Sequence, residues 1–392
     1  MYKIRTFNNI AARGLERFSA DDYDVGSEVA DPHALLLRSY KLEPTDLGDN
    51  LRAVARAGAG VNNVPVEQCT DQGIVVFNTP GANANAVKEL VLAALLLASR
   101  DIVGGIDFVA ALGDVSDETE LNRLVEAEKK RFKGRELLGK SLGVVGLGAI
   151  GSLVARAALD LGMDVLGYDP AISVDAAWRL PSEVQRMENL PSLFARADYV
   201  TLHVPLLAET EGMINEESLR LFRPGSVLLN FARQPIVDSQ ALKDALDDGR
   251  MGMYVADFPV PGLTDHPSVR LTPHLGASTE EAEENCAVMA ANQLIEFLQR
   301  GNIQNSVNFP HVYLEPAGGY RLAITNRNVP GALGDITSLL ADRNINVVDM
   351  LNRSRDEVAY NLIDVAEEAD QQLIDDICAL ESVMNVREFR MS

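Results

Sequence analysis

The stretch Ser141-Leu142-Gly143-Val144-Val145-Gly146-Leu147-Gly148-Ala149-Ile150-Gly151 joins an apolar strand, a G-x-G-x-x-G turn at Gly146, Gly148 and Gly151, and the start of an apolar helix. Glycines at these positions let the backbone turn tightly and approach a pyrophosphate. That anion then sits among the unpaired N–H groups of a helix N-terminus. A second apolar run, Asp164 to Tyr168, ends in Asp169, whose carboxylate suits the hydroxyls of an adenine ribose. A carboxylate there repels a 2′-phosphate, and neither Pro170 nor Ala171 supplies a cation to hold one. NAD is therefore expected rather than NADP.

The rest of the composition narrows the class. A chain of 392 residues with 47% hydrophobic content accommodates two or three domains with full cores. Cys69, Cys286 and Cys378 lie far apart and form no C-x-x-C pair, so neither a disulfide framework nor a thiolate metal site is expected. No signal peptide is read in Met1 to Phe7, which alternates like a strand, and Leu90 to Ala98 is too short to span a bilayer. A cytoplasmic location and no membrane partner are the expectation. The formal charge of −22 argues against a nucleic-acid partner, and it means that an anionic substrate needs a local Arg or Lys cluster.

The first third alternates strand-like runs, at Ala34 to Leu37, Leu51 to Ala57 and Ile74 to Phe77, with helical ones, and a helix from about Val87 to Ser99 closes it. Later strands read at Tyr199 to Val204, Ser226 to Phe231 and Gly252 to Asp257, and a long helix runs from about Thr279 to Arg300. Residues Asn305 to Gly319, with Pro310, Pro316, Gly318 and Gly319, read as a linker. Beyond it the order strand, helix, strand, strand, helix, strand predicts a small ferredoxin-like βαββαβ unit. The expected fold is α/β: two doubly wound Rossmann-like domains and this tail. The expected boundaries are 1–100 with 286–310 for the substrate-binding domain, 101–285 for the NAD-binding domain and 318–392 for the tail.

Chemistry gathers at strand ends, where parallel sheets place ligands. Asn230-Phe231-Ala232-Arg233 closes one strand, Asp257 closes the next, and Pro273-His274-Leu275-Gly276-Ala277-Ser278-Thr279 precedes the long helix. With the glycine loop and Asp169, these motifs resemble the D-isomer-specific 2-hydroxyacid dehydrogenases over about the first 310 residues. The P-H-L-G-A-S-T wording, the Arg56 to Asn63 stretch R-A-G-A-G-V-N-N and the tail are similar to members that oxidise 3-phosphoglycerate for serine biosynthesis. The tail resembles an ACT domain, a fold that binds amino-acid effectors.

Residue chemistry agrees with the resemblance. Oxidising a 2-hydroxy acid requires a base for the hydroxyl proton, and the His274 imidazole suits that task. Arg233 has the planar fork to grip a carboxylate. The resemblance implies cofactor contacts from Gly146, Gly148, Ala149, Ile150, Gly151 and Asp169, from His203, Val204, Pro205, Thr210 and Ala232, and from Asp257, Gly276 and Thr79. Arg56, Ala59, Gly60 and Val61 would meet the substrate carboxylate through a nest-like turn, with Arg56, Arg38 and Lys129 as candidates for its phosphate.

In the family a glutamate beyond the Asp257 position supports the histidine, and here its place falls on Gly262. Two readings stay open: Asp265 substitutes from a displaced position, or His274 acts without a carboxylate partner. The tail implies an amino-acid effector, L-serine first, contacted by Asn328 and Asn346 between two side-by-side copies, and the family implies a homodimer or homotetramer. The competing functions are reduction of another 2-keto acid, such as glyoxylate or hydroxypyruvate, and a non-catalytic NAD-sensing scaffold.

Overall fold

The computed structural model describes residues 1–178 and 180–391, and they divide into two compact units. One unit joins Met1–Asn83 to the chain from Glu280 onward; the other is Ala84–Thr279.

The first unit opens with a five-stranded parallel sheet: β1 (Tyr2–Thr6), β2 (Tyr23–Gly26), β3 (Ala34–Leu37), β4 (Ala53–Arg56) and β5 (Val75–Phe77), in the order β2-β1-β3-β4-β5. Alternate residues of β3 feed its two faces, Ala34 and Leu36 one core, Leu35 and Leu37 the other, which explains its unbroken apolar run. The 21-residue helix Glu280–Arg300 covers the first face through Cys286, Ala287, Ala290, Ala291, Leu294, Phe297 and Leu298. Glu280, Glu281 and Glu283 in its first turn and Arg300 in its last complement the helix dipole.

The second unit carries a seven-stranded sheet: β6 (Ser141–Val145), β7 (Asp164–Tyr168), β8 (Gln185–Arg186), β9 (Tyr199–Leu202), β10 (Ser226–Asn230), β11 (Met251–Ala256) and β12 (Val269–Leu271). All its pairings are parallel, in the order β12-β11-β10-β9-β6-β7-β8. The order reverses at the β6–β9 junction, where such sheets bind ligands. The helix Ala84–Ser99, expected to close the first domain, belongs to this unit instead. Its Val87, Val91 and Leu95 share a core with Val154, Ala155 and Ala158, so the unit begins at residue 84 rather than 101.

The tail forms an antiparallel sheet: β13 (Gly319–Arg327), β14 (Val347–Arg355), β15 (Val358–Val365) and β16 (Val383–Met391), in the order β14-β15-β13-β16. The helices Ala332–Asp342 and Gln371–Cys378 cover one face through Ile336, Leu340, Leu373 and Ile377. The other face presents Tyr360, Leu362, Phe389 and Met391 to the core that holds Phe77, Phe297 and Phe309. Every residue of β15 is buried for this reason.

The expected linker is largely packed structure. Ile303 bridges Val312, Ser306 bridges Phe77, and the buried Asn308 accepts from Val76 N–H at 2.8 Å while donating to Ile74 O at 2.9 Å. Its prolines and glycines mark sharp turns rather than freedom, and an asparagine side chain extends the β5 edge.

Candidate active site

Because β6 to β12 are parallel, their C-terminal ends share one edge. That edge presents the glycine loop after β6, Asp169 after β7, His203 after β9, Arg233 after β10, Asp257 after β11 and His274 after β12.

The glycine loop is sterically dictated. Gly146 has φ +91°, and a Cβ there would lie 2.5 Å from His203 O; a Cβ on Gly151 would lie 1.9 Å from Gly146 O. At Gly148 a Cβ would point into open space, and no side chain caps the helix Ala149–Asp160 that starts there with Ile150 in its first turn. Unpaired N–H groups beside an open approach suit a pyrophosphate. Asp169 accepts from Leu147 N–H at 2.8 Å and Ala171 N–H at 2.9 Å, which aims its partly exposed carboxylate beside the loop with acceptor capacity to spare. These residues fit NAD.

His203 Nε2 pairs with Thr201 Oγ1 at 2.9 Å, whereas Nδ1 is shielded and has no partner among the described residues. Burial pushes this imidazole down to about 3, so it is neutral at ordinary pH. Thr210 Oγ1 donates to Pro205 O at 2.6 Å and accepts from Leu207 N–H at 2.8 Å, closing the turn after Val204.

Arg233 is exposed at the end of a turn pinned by Asn230, a fully buried side chain that the sequence reading quoted without a role. Asn230 Nδ2 donates to Arg233 O at 3.0 Å, and its Oδ1 accepts from Ala232 N–H at 3.1 Å. Arg233 itself donates to Ala232 O at 2.7 Å.

Asp257 proves to be the organiser of the His274 loop. It is 4% exposed, and its two oxygens accept from Thr272 Oγ1 at 2.7 Å, Leu275 N–H at 2.7 Å and Gly276 N–H at 2.6 Å. A Cβ on Gly276 would lie 2.8 Å from the same carboxylate. Between those anchors His274 holds φ +62°, a left-handed conformation that costs a non-glycine residue on the order of 1 kcal/mol or more. The resemblance implies that Asp257 also contacts the cofactor; the hydrogen bonds it makes within the protein go to the loop. Asp265 is exposed, and among the described residues no hydrogen bond or ion pair joins it to His274. Among the described residues the exposed His274 ring has no carboxylate partner.

In the other unit, Arg56 Nε donates to Arg38 O at 3.0 Å, and Arg38 pairs with Glu283 at 2.7 Å. A Cβ on Gly58 would sit 2.2 Å from the Arg56 guanidinium, so the glycine makes room for it. Asn78 Nδ2 ties down Ala59 O at 2.7 Å beside Gly60 and Val61, while fully buried Thr79 donates its N–H to Gly58 O at 3.1 Å. Arg38, Arg56 and the 58–61 turn thus form one cluster. Lys129 belongs to the second unit and pairs with Glu126 at 2.5 Å.

In the tail, Asn328 donates from Nδ2 to Asp356 O at 3.1 Å, and Asn346 lies beside Ala366, whose N–H it accepts at 3.2 Å. These contacts mark opposite ends of β15, roughly 23 Å apart at 3.3 Å per residue. One tail therefore does not bring the two asparagines together. Asn326 is buried in a ladder that sequence reading missed: Asn361 Nδ2 donates to Asn326 Oδ1 at 2.7 Å and Asn352 Nδ2 to Asn361 Oδ1 at 2.5 Å.

No described helix is long and apolar enough to cross a membrane, and no described cluster of His, Cys, Asp and Glu could hold a metal. The family model for the D-isomer specific 2-hydroxyacid dehydrogenase NAD binding domain matches residues 106–276, and that for the ACT domain matches residues 320–382. D-3-phosphoglycerate dehydrogenase of Methanocaldococcus jannaschii is 33% identical over 83% of this chain, which spans only 60% of that protein's length. The enzyme of that name from Escherichia coli is 32% identical over 89% of this chain and 84% of its own. The NAD+-bound 3-phosphoglycerate dehydrogenase structure from Entamoeba histolytica superposes with a TM-score of 0.61 at 25% identity, covering 79% of this chain and 99% of that one. With that extent of identity, and with the NAD binding domain model matched over residues 106–276, the chain belongs to the D-isomer-specific 2-hydroxyacid dehydrogenase family.

Proposed function

We propose that this chain oxidises 3-phospho-D-glycerate to 3-phosphohydroxypyruvate with NAD, the first step of L-serine biosynthesis, in the cytoplasm. The observation that carries the reading is the placement of Arg233 and His274 after β10 and β12, either side of β11, with Asp257, which follows β11, holding the His274 loop. Exposed Arg233 grips the substrate carboxylate and polarises the C2 oxygen, and His274 takes the hydroxyl proton. NAD, when bound, accepts the hydride from C2. Arg38 and Arg56 of the first unit are the candidates that the resemblance offers for the phosphate. Among the described residues the His274 ring has no carboxylate partner, and the hydrogen bonds of Leu275 and Gly276 to Asp257 set its loop.

The test is NADH formation with 3-phosphoglycerate beside D-lactate, glycerate and 2-hydroxyglutarate. Turnover selective for 3-phosphoglycerate is expected, with Arg233→Ala and His274→Ala each lowering kcat/KM about a hundredfold or more while NAD still binds. No turnover despite tight NAD binding would favour a sensing scaffold. L-serine is the proposed effector. Because Asn328 and Asn346 lie at opposite ends of one sheet, its site would combine Asn328 of one tail with Asn346 of a second copy, and inhibition by millimolar serine in the same assay is the expected result.

A further inference from the structure

We propose, on the reading of Arg233 as the clamp for the substrate carboxylate, that Asn230 is its positioning residue: the buried amide fixes the two peptide units that bracket the carbonyl on which the guanidinium rests. Asn230 ends β10, a strand buried along its whole length between β9 and β11, and its own side chain is fully buried. That side chain does two opposite things. Oδ1 accepts from Ala232 N–H at 3.1 Å, and Nδ2 donates to Arg233 O at 3.0 Å. The first bond holds the peptide between residues 231 and 232, the second the peptide between 233 and 234. Between them lies the 232–233 peptide, whose oxygen accepts from Arg233 Nη1 at 2.7 Å. Arg233 is exposed and its guanidinium folds back on its own backbone, so the turn beneath it sets where it lies. The far side of that turn is closed by the fully buried Ile236, whose N–H also donates to Arg233 O, at 3.3 Å.

The chemistry of the two partners selects the residue. One offers a donor and the other an acceptor, and both are reached from a single short side chain. An ionised carboxylate of the same shape accepts but does not donate, and an apolar side chain leaves both peptide groups unmatched. A primary amide answers both. The arrangement parallels the neighbouring strand, where Asp257, which follows β11, holds the His274 loop: adjacent strand ends each give one buried polar side chain to a turn of the site. A misplacement of about 1 Å in a group that grips the substrate costs on the order of a hundredfold in rate, so a side chain that never touches substrate still controls turnover.

The experiment is a double-mutant cycle on the full chain, read by NADH formation and by calorimetry with NAD. Asn230→Leu keeps the shape and removes both hydrogen bonds; Asn230→Ser is smaller and buries no charge, so it guards against a folding defect in the first. Each is made alone and together with Arg233→Ala. With Arg233 present, either variant should lower kcat/KM for the 2-hydroxy acid about tenfold or more and raise its KM, with the Kd for NAD kept within about twofold. In the Arg233→Ala background the same substitutions should change kcat/KM by less than about twofold, because the group they position is gone. A general folding defect acts otherwise: it removes active molecules, so kcat falls with KM unchanged, and it does so in both backgrounds. Losses confined to kcat, losses of full size in the Arg233→Ala background, or no loss at all would each overturn the proposal. The carboxylate and the C2 oxygen are common to all 2-hydroxy acids, so turnover of D-lactate in place of 3-phosphoglycerate defeats the substrate assignment alone, and the cycle run with that acid still decides the role of Asn230. A natural chain that turns over none of these acids would overturn both.

Discussion

Asp257 carries the most testable claim among single residues. A cofactor contact and a loop anchor differ in what their loss does. As an anchor, Asp257→Ala frees Thr272, Leu275 and the buried Gly276 N–H, and releases the left-handed turn at His274. The expected outcome is a stability loss of about 1–3 kcal/mol by urea denaturation and a fall in kcat, with the Kd for NAD nearly unchanged. Loss of NAD affinity with kcat intact would return Asp257 to the cofactor. His203 makes a prediction in pH. Its folded value of about 3 lies below the ordinary 6.5, so between those limits the unfolded chain binds more protons and stability falls as pH falls. The contribution is complete above pH 6.5 and is lost on acidification toward 3. Thermal denaturation from pH 7 to pH 4 should show a smaller drop in Tm for His203→Asn than for the natural chain. What the sequence disclosed at this scale was chemical type at strand ends, as with Arg233 and His274. It hid hydrogen-bond direction: nothing in the one-dimensional pattern says that Asp257 turns toward residues 272–276, or that Asn326 turns inward to Asn361.

Elements were legible wherever hydrophobic period and glycine position agreed. Asp164–Tyr168 and the strand and helix order of the tail fall where alternation and apolar runs place them. Short strands such as Gln185–Arg186 have no apolar run to announce them and exist only because β7 pairs with them. The 305–319 stretch misled because proline and glycine signal turns equally in a linker and in a tightly folded segment. β13 and β15 hold a feature of another kind, the fully buried pair Arg321 and Asp364, joined through Nε at 2.5 Å and Nη2 at 2.9 Å. Arg321 also donates to Arg300 O at 3.1 Å and Glu315 O at 3.2 Å, fastening the tail to the end of the long helix. Removing one partner strands a buried charge, so Asp364→Ala should cost roughly 3–5 kcal/mol in urea denaturation, while Arg321→Met with Asp364→Leu should recover much of it. Equal loss in the single and double variants would mean that the pair matters through its backbone contacts instead.

At the scale of the whole molecule, the tail behaves as part of the first unit's core rather than as an appendage. Tyr360 is fully enclosed and donates its hydroxyl to Gly301 O at 2.7 Å; Arg387 stacks 4.0 Å over the Phe297 ring and donates to Phe297 O at 3.3 Å. Leu362 and Phe389 fill the space beside them. Each large apolar side chain buried this way contributes about 1.5–3 kcal/mol, and the Arg387 stack adds on the order of 1 kcal/mol. Ending the chain before Gly319 would expose Phe297 and Phe309 together, a contiguous apolar patch of the kind that drives aggregation. The shortened chain should therefore lose several kcal/mol, unfold at a clearly lower temperature and self-associate in sedimentation, and its loss of activity on warming should precede that of the full chain. A regulatory module hung on a mobile tether would behave otherwise: its removal would leave Tm, solubility and basal turnover where they were. That result would show that the shared core contributes nothing in solution. The packed alternative means that any ligand which reshapes β13 or β15 acts directly on the end of the Glu280–Arg300 helix, through Arg321, Tyr360 and Arg387, with no flexible joint to absorb the movement.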